Sequence, residues 1–459
     1  MQRAAVILAA GKGTRMKSEL PKVLHKVCGR PMLDYVTESL YNAGIENITI
    51  VVGHRGDMVA KSLPGNISIV YQDPQLGTAH ALLQAKERLE GFSGDLLVIG
   101  GDTPLITQSS FKNLLEYHEN TKAKATVLTA EITDPGNYGR IIREGTGKVL
   151  QIVEQRDAGQ KELAIREINT GIYVFSGEGL FEALSEIKNN NAQKEYYLTD
   201  LIEKYVKVDL PVEAYKIKDA GEILGINDRC QLAEVESIMR QRILTDLMLS
   251  GVTVIDPKNT FVDKEVEVGQ DTTILPFTII EGRSSIGPNC TIGPGTHLSD
   301  VQIGAGAVIR NSIVMESVIG NNCNIGPFAY IRPGCVLEQE VKVGDFVELK
   351  KAKIGIKSKV PHLSYIGDTT MGSEVNIGAG TITCNYDGSK KWPTVIGNRA
   401  FVGSNTNFVA PVEVGSGAVI GAGSTITKNV PENTLSVARG RQKNIERYNK
   451  KNTAKEKDL

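Results

Sequence analysis

The C-terminal half of the chain carries a small aliphatic residue at every sixth position, from about residue 254 to residue 426. Polar and small residues fill the intervals, and Gly often follows the aliphatic residue directly. A fixed period this short predicts a stacked parallel β-solenoid over residues 251–437, because a single coil cannot bury its apolar face alone. The registers are Val268, Ile274, Ile280, Ile286 and Ile292; Ile319, Ile325, Ile331, Leu337, Val343 and Leu349; Ile354, Val360 and Ile366; and Ile396, Val402, Phe408, Val414, Ile420 and Ile426.

Residues 1–228 have a different pattern, in which short apolar runs alternate with helical spacing. The runs predict strands over 4–10, 47–53 and 95–100, and the helical spacing predicts helices over 32–43 and 77–89. Such alternation is typical of an α/β domain on a mostly parallel, Rossmann-like sheet. Ligands in these sheets bind at the carboxyl ends of the strands.

One amphipathic helix is predicted between the two halves, over residues 229–250, and we interpret it as a linker helix. Its apolar positions are Leu232, Val235, Ile238, Met239, Ile243 and Leu247. The predicted domains are therefore 1–228, 229–250 and 251–459, the last with a basic C-terminal tail. The tail carries Arg439, Arg441, Lys443, Arg447, Lys450 and Lys451, and disorder is predicted for 452–459.

Composition narrows the class of protein. The 459 residues are 41% hydrophobic and 23% charged with a net charge of -1, which is ordinary for a soluble protein and argues against nucleic acid as a partner. No apolar run approaches the roughly 20 residues of a membrane span, and the N-terminal strand passes straight into a turn, unlike a signal peptide. Six Cys without a C-x-x-C pair are expected to be reduced thiols in a cytoplasmic protein, not a zinc site.

A Gly-rich loop follows the first predicted strand, running from Leu8 through Ala9, Ala10, Gly11, Lys12, Gly13 and Thr14 to Arg15 and Met16, with Lys22 shortly after. Gly allows backbone N–H groups to approach phosphates, and Arg and Lys balance the charge. The loop is neither a P-loop nor a complete G-x-G-x-x-G, since Met16 stands at the last Gly position. Taken alone, it also fits a plain strand-to-helix turn.

Further candidate residues lie at probable strand or loop ends: Gln72, Gly77, Thr78, Asp102 and Asn227. Asp102 comes directly after an apolar strand, so its carboxylate would face the Gly-rich loop. That position suits Mg²⁺, which takes few protein oxygens together with substrate phosphates. A lone Asp after a strand is, however, more often a turn or cap residue.

Charged residues interrupt the solenoid pattern. Arg332 follows Ile331, Lys350 follows Leu349, and His362 lies between Val360 and Tyr365. One coil takes about three hexapeptides, so Lys350 and His362 are expected close together, where cations suit a sugar phosphate and His suits proton removal from an amine. An isolated His in a solenoid is more often structural. Residues 383–392 break the period and predict a loop leaving the coil.

The motif L-A-A-G-x-G-T-R-M…P-K with the later Gly-Asp resembles the nucleotidyltransferases that make nucleotide sugars. With the hexapeptide solenoid, residues 3 to about 445 resemble the bacterial bifunctional N-acetylglucosamine-1-phosphate uridyltransferase/glucosamine-1-phosphate N-acetyltransferase family. The resemblance implies a left-handed parallel β-helix, a cytoplasmic homotrimer, and small-molecule substrates without nucleic acid or membrane partners. It implies acetyl transfer from acetyl-CoA to glucosamine 1-phosphate, then Mg²⁺-assisted uridylyl transfer from UTP, giving UDP-N-acetylglucosamine for peptidoglycan, lipopolysaccharide or other cell-wall precursors.

The resemblance also implies roles for single residues of the N-terminal half. Arg15 and Lys22 would act on the triphosphate, and Asp102 and Asn227 would hold Mg²⁺. The uridine and sugar contacts would be Leu8, Ala9, Ala10, Gly11, Gln72, Gly77, Thr78, Gly139, Glu154 and Asn169, with Lys22 and Asn227. One departure is Gly100, where the family often has an aromatic residue; a backbone contact is expected there.

In the solenoid, the resemblance makes His362 the general base. Arg332, Lys350, Tyr365 and Asn376 would bind the amino sugar phosphate, and Ala379, Asn385, Tyr386, Ser404, Ala422 and Arg439 would line the acetyl-CoA site between neighbouring chains. Two alternatives remain: a nucleotidyltransferase whose solenoid only regulates or trimerises, and a non-enzymatic sensor or scaffold. The companions of His362 argue against the first, and Asp102 with Asn227 argues against the second.

Overall fold

The structure is a computed structural model that describes residues 2–65 and 67–445. Its contacts divide the chain into two compact units, Met1–Arg240 and Gln241–Leu459. The end of the predicted basic tail, including Arg447, Lys450 and Lys451, and the predicted disorder over 452–459 lie outside the described residues. None of the described helices is long and apolar enough to cross a membrane.

A nine-stranded sheet forms the centre of the first unit. Its order is β11-β7-β10-β6-β1-β4-β5, with β8 on β10 and β9 on β8, while β2 and β3 form a separate hairpin. All neighbours along the main path are parallel except β10, which is antiparallel to β6 and β7. The strands are β1 Arg3–Ala9, β2 Lys26–Val27, β3 Arg30–Pro31, β4 Asn47–Val52, β5 Ser68–Tyr71, β6 Asp95–Gly100, β7 Ala125–Glu131, β8 Arg140–Arg143, β9 Val149–Val153, β10 Glu167–Ser176 and β11 Val212–Lys216.

Helices cover both faces of this sheet. Alternate residues of β1 show why: Ala5 and Ile7 join one buried cluster, while Ala4 and Val6 join the other. A strand buried on both faces needs apolar residues at every position, which is what its sequence provides. The helices are α1 Met32–Asn42, α2 Gly56–Ser62, α3 Thr78–Leu83, α4 Gln108–Thr121, α5 Gln160–Leu163, α6 Leu180–Ser185, α7 Asp200–Lys207 and α8 Arg229–Leu249.

The helix predicted over 77–89 is wrong in its extent, because α3 ends at Leu83 and a 3₁₀ turn, Lys86–Leu89, follows. The Gln84 side-chain amide donates to the His80 carbonyl at 3.0 Å, which is the acceptor that the Gln84 backbone N–H would use in a longer α-helix. That N–H instead bonds Ala81 O at 3.2 Å, an i to i−3 bond that tightens the chain.

The helix predicted over 229–250 is observed as α8. Its buried residues are Val235, Met239, Ile243 and Leu244, which recur at three- and four-residue spacing as expected of an amphipathic helix. The contacts divide the chain within this helix, between Arg240 and Gln241. The predicted boundaries at 228 and 250 remain predictions.

The second unit is a parallel β-helix with three sheets of short strands. The first sheet contains β12 Thr253–Val254, β15 Thr273–Ile274, β18 Thr291–Ile292, β21 Val308–Ile309, β24 Asn324–Ile325, β27 Lys342–Asp345, β30 Lys359–His362, β33 Asn376–Ile377, β36 Phe401–Val402, β39 Val419–Ile420 and β41 Leu435–Ser436. The second contains β13 Phe261–Val262, β16 Ile279–Glu281, β19 His297–Ser299, β22 Ile313–Met315, β25 Tyr330–Ile331, β28 Glu348–Lys350, β31 Tyr365–Gly367, β34 Ile382–Cys384, β37 Asn407–Val409 and β40 Thr425–Ile426. The third contains β14 Glu267–Val268, β17 Ser285–Ile286, β20 Gln302–Ile303, β23 Val318–Ile319, β26 Val336–Leu337, β29 Lys353–Ile354, β32 Thr369–Met371, β35 Thr394–Ile396 and β38 Val412–Val414.

The six-residue period places one aliphatic residue in each short strand, and these residues stay in register from coil to coil. Each aliphatic residue of the period pairs with its equivalent in the next coil, as Val343 does with Val360, and the side chains point into the coil. The 383–392 interval, predicted as a loop, forms a small hairpin with a Tyr386–Lys391 bridge. Asp387 holds the hairpin by accepting a 2.6 Å bond from the Trp392 indole N–H.

The core of the second unit offers a matched stability test. Phe408 is fully buried, whereas Phe401 in the same coil is 50% exposed. Phe408→Ala is expected to lower the free energy of unfolding by about 3–5 kcal/mol, since it removes a buried ring and leaves a cavity. Phe401→Ala should cost under about 1 kcal/mol. Denaturant titration of both variants measures the difference, and equal losses would contradict the assigned core.

Candidate active sites

A cavity of about 590 Å³ opens at the carboxyl ends of β1 and β6, where the sequence predicted a ligand site. The predicted residues that line it are Leu8, Ala9, Ala10, Gly11, Lys22, Gln72, Gly77, Thr78 and Asp102. The backbone of the Gly-rich loop forms one wall. Gly13 has φ of +60°, and a Cβ there would lie 2.9 Å from Lys22 Cβ. Gly13 therefore lets the Lys22 segment pack directly against the loop.

Lys22 occupies the centre of the polar residues in this cavity. Its Nζ donates to the Asp102 carboxylate and, at 3.2 Å, to Asn227 Oδ1. Arg15 Nη2 also donates to Asn227 Oδ1, at 3.0 Å. The structure thus brings all four predicted phosphate and metal residues together, although Asn227 is more than 200 residues from Lys22 in sequence. A carboxylate oxygen and an amide oxygen converge on one positive charge.

A second cavity of about 230 Å³ adjoins the first and shares Leu8 and Thr78 with it. The predicted sugar residues Gly139, Glu154 and Asn169 all line this cavity. The Asn169 amide is held by a 2.7 Å bond from its Nδ2 to the hydroxyl of Tyr173. Burial raises the pKa of Glu154, an effect partly opposed by the Thr199 hydroxyl that donates to it at 3.4 Å.

The second candidate site lies at a corner of the β-helix. His362 ends β30, and its Nδ1 lies 3.2 Å from Asp345 Oδ1, on the residue one coil earlier. An anionic partner at Nδ1 holds the proton there and leaves Nε2 as the free acceptor. His362 is exposed, so the ring is accessible to a substrate. Asp345 was missed by sequence reasoning; its spacing of one coil from His362 indicates that the two residues share a column, and the structure supplies the contact.

The same corner forms a column along successive coils. Backbone N–H groups of each coil bond the carbonyl oxygens of His362 at 3.3 Å, Ala379 at 2.7 Å and Ser404 at 2.8 Å. Arg439 Nη1 then donates to the Ala422 carbonyl at 2.7 Å. At about 4.8 Å per coil, the distance from His362 to Ala422 is about 14 Å. Four of the predicted acetyl-CoA residues, Ala379, Ser404, Ala422 and Arg439, therefore form one extended strip that starts at His362, whereas Asn385 and Tyr386 lie outside it.

The adjacent sheet carries the predicted sugar-phosphate cations. Arg332 forms a 2.8 Å ion pair with Glu348, which pairs in register with Tyr365. The ammonium of Lys391, in the hairpin, lowers the pKa of Lys350 through contact, with desolvation and Arg332 adding to the effect. Three cations, Arg332, Lys350 and Lys391, therefore lie together with two carboxylates, Glu348 and Asp368, which leaves a net positive charge. Glu348 and Lys391 were not predicted from the sequence.

Asn385 contacts two residues on the same side of the β-helix, Asp368 and Tyr365. Its Nδ2 donates to Asp368 Oδ2 at 2.5 Å and lies 3.4 Å from the Tyr365 hydroxyl. Gly367 beneath them has no side chain, and a Cβ there would lie 2.5 Å from the Tyr365 hydroxyl. Tyr386 is exposed on the hairpin. Asn376 is apart from this group, since it lies in β33 on the first sheet beside Lys359.

These features define a two-part transferase, with a phosphate loop on an α/β sheet and a His–Asp pair on a β-helix. Comparison with known proteins agrees. Residues 4–224 match the family described as Nucleotidyl transferase, residues 257–365 match the GMPPB C-terminal domain, and residues 393–428 match the Bacterial transferase hexapeptide (six repeats).

Curated relatives extend over nearly the whole chain. The Bifunctional protein GlmU of Pelotomaculum thermopropionicum is 58% identical over 90% of both chains. Those of Geobacillus sp. (strain WCH70) and Heliobacterium modesticaldum are 51% and 52% identical, covering 98% and 97% of this chain and 98% of their own lengths. The chain belongs to the family of bifunctional GlmU proteins. It is a bifunctional enzyme, and the predicted fold class, including the left-handed parallel β-helix, is confirmed.

The raised pKa of Glu154 predicts that the ionised carboxylate, in the second cavity, lowers the free energy of unfolding. The folded pKa exceeds the ordinary 4.5, so folding disfavours the ionised form and the penalty is present at neutral pH. Glu154→Gln should therefore raise the Tm at pH 8. The gain should shrink as the pH falls through the raised pKa and vanish well below 4.5. Thermal melts across pH measure this, with Glu162→Gln, on the exposed helix α5, as control. A gain that grew toward acid pH would contradict the assignment.

Proposed function

We propose that this enzyme makes UDP-N-acetylglucosamine in two steps. It first transfers an acetyl group from acetyl-CoA to glucosamine 1-phosphate, and then a uridylyl group from UTP to N-acetylglucosamine 1-phosphate. The observation that carries the proposal is the His362–Asp345 pair at the end of the backbone strip, with the cations Arg332, Lys350 and Lys391 on the adjacent sheet and its hairpin. A solenoid that only regulated or trimerised the enzyme would have no use for these groups together.

Uridylyl transfer is assigned to the first cavity. An oxygen of the sugar phosphate attacks the α-phosphorus of UTP in line, the bond to the β-phosphate oxygen breaks, and pyrophosphate leaves. Catalysis requires positioning and charge neutralisation and no covalent enzyme intermediate. Arg15 and Lys22 neutralise the triphosphate, the loop from Leu8 to Gly11 holds the nucleotide, and Glu154 accepts hydrogen bonds from sugar hydroxyls.

Asp102 and Asn227 fit a magnesium site. Their two oxygens already converge on the Lys22 ammonium, so the fold gathers oxygen ligands around a positive charge. Mg²⁺ is commonly bound by one or two carboxylates together with substrate phosphates. When bound, the ion would neutralise phosphate charge and orient the triphosphate. The role of Lys22 is then to hold Asp102 in place before the nucleotide binds.

Acetyl transfer is assigned to the corner of the β-helix. The amine of glucosamine 1-phosphate attacks the thioester carbonyl carbon, His362 Nε2 takes the amine proton, and the C–S bond breaks to release coenzyme A, which takes up a proton as its thiol. Asp345 keeps the ring in the tautomer that can act as a base. Arg332, Lys350 and Tyr365 bind the sugar phosphate. Acetyl-CoA follows the strip past Ala379, Ser404 and Ala422, where Arg439 meets a CoA phosphate.

A homotrimer is the proposed assembly, and cytoplasm the proposed compartment. Asn376, expected at the amino sugar phosphate, lies on a different sheet from Lys350 and Tyr365 within one chain. An edge-to-edge association of coils would bring Asn376 of one chain toward the other residues on a neighbouring chain. UTP and acetyl-CoA, the co-substrates, are both cytoplasmic metabolites.

Asp102→Ala should abolish uridylyl transfer, with a loss of about 10²–10³-fold or more, because the Mg²⁺ ion that neutralises the phosphate charge loses its carboxylate ligand. Pyrophosphate release from UTP and N-acetylglucosamine 1-phosphate measures the loss. Acetyl transfer by the same preparation is the control and should be unchanged. Normal pyrophosphate release would overturn the assignment of Asp102.

His362→Ala should remove acetyl transfer by about 10²–10⁴-fold, the range that a general base contributes. Thiol release from acetyl-CoA in the presence of glucosamine 1-phosphate measures it. UDP-sugar formation from N-acetylglucosamine 1-phosphate should remain. Undiminished thiol release at saturating substrates would show that His362 is not the base, and no thiol release by the wild-type enzyme would favour a solenoid that only regulates or trimerises.

A further inference from the structure

The ammonium of Lys22 contacts both of the oxygen atoms that fit a magnesium site. Its Nζ donates to Asp102 Oδ2 and, at 3.2 Å, to Asn227 Oδ1. The Lys22 and Asp102 side chains are only 17% and 22% exposed, so salt and water screen their attraction weakly. The other carboxylate oxygen, Asp102 Oδ1, is turned back over Gly100, where a Cβ would lie 2.6 Å from it. A second cation that approached this oxygen pair would be repelled by the Lys22 ammonium.

The backbone brings the two oxygens together without help from Lys22. The backbone N–H of Ile226 donates to the Asp102 carbonyl oxygen at 2.9 Å, which ties the loop before α8 to the turn after β6. The backbone N–H of Asn227 donates to Gln231 Oε1 at 2.7 Å, which anchors the same loop on the first turn of α8. Removal of the Lys22 ammonium would therefore leave in place the backbone that carries both oxygens.

Lys22 can reach a second set of partners in the same cavity. Its backbone is fixed, because it begins the 3₁₀ turn Lys22–Leu24, in which Val23 and Leu24 are buried. Its four-carbon side chain is flexible, however, and it lines the cavity assigned to the nucleotide. A triphosphate offers the ammonium more negative charge than the single Asp102 carboxylate does. Binding of the nucleotide would therefore draw Lys22 toward the phosphates.

We propose that Lys22 blocks the metal site: its ammonium keeps divalent cations away from Asp102 and Asn227 until the nucleotide phosphates draw it away. Nucleotide and metal then bind cooperatively, and each raises the affinity for the other by the same factor. This inference rests on the proposed uridylyl transfer and adds the order in which its two cations reach their places.

The test measures the binding of Mn²⁺ alone to the purified full chain, without nucleotide, from the electron paramagnetic resonance signal of free Mn²⁺. Lys22→Met removes the ammonium, and the dissociation constant for Mn²⁺ is expected to fall about tenfold or more. That factor corresponds to oxygens that are free of Lys22 in about one molecule of ten or fewer. Lys22→Arg retains a cation that can donate to both oxygens, so its dissociation constant should stay near that of the wild type.

Two controls separate direct contact from general charge. Lys12→Met removes an equal charge from the wall of the same cavity, but among the described residues the donors to these oxygens are Lys22 and Arg15. Because Lys12 is exposed and screened by salt, the dissociation constant should change less than about threefold. Lys22→Met combined with Asp102→Asn should lose the gain, which locates Mn²⁺ at Asp102. Thermal melts and acetyl transfer check folding, and Lys22→Ala replaces a Lys22→Met that does not fold.

The outcomes separate this inference from the proposed function. If the wild-type enzyme releases no pyrophosphate from UTP and N-acetylglucosamine 1-phosphate, the proposed function itself is wrong. If it does release pyrophosphate, but Lys22→Met binds Mn²⁺ no more tightly than the wild type, Lys22 does not block the site and the inference alone is overturned. A gain of equal size in Lys12→Met, or a gain that persists with Asp102→Asn, would also overturn the inference, since net charge or another site would then explain it.

Discussion

The main-chain hydrogen bonding between parallel strands is the constraint on which both sites depend. In the β-helix it places equivalent residues of successive coils in columns about 4.8 Å apart. The sequence separation within a column is 16 residues between Ile309 and Ile325 but 25 between Ile377 and Val402, and the register is kept in both. Extra residues are confined to corners, so the 383–392 hairpin can be added without disturbing the core.

The same constraint organises the first unit. Parallel strands end at one edge, so the loops after β1 and β6 meet there, and Asn227, in the loop just before α8, completes the site. Charge then determines how these residues behave without substrate. Asp102 and Asn227 hold Lys22 in place, while in the β-helix Lys350 contacts Lys391 and lies near Asp368. Lys22 is therefore paired with an oppositely charged group, whereas Lys350 meets a like charge as well.

Polar groups at the candidate sites are restrained by neighbouring protein groups. Asp345 restrains His362, the Tyr173 hydroxyl restrains Asn169, and the Gly77 carbonyl restrains Gln72. Such partners matter because an amide or imidazole presents different hydrogen-bonding groups in different orientations. Glu154 shows the accompanying cost, since this half-buried carboxylate has a raised pKa and only a long hydrogen bond from the Thr199 hydroxyl.

Much of the fold followed from the sequence alone, because burial imposes periods that survive in a single chain. The six-residue period predicted the β-helix, helical spacing predicted α8, and the Gly-rich loop with Asp102 predicted the edge of the sheet at which the cavity opens. The end of α3 was missed because it depends on a side-chain bond from Gln84. Only the tertiary structure decided that the Asp345 carboxylate meets the His362 ring, that Lys350 is in register with Gly367, and that Asn376 lies on a different sheet from Lys350. These are distances between side chains on different coils or loops, and no local pattern of residue types encodes a distance.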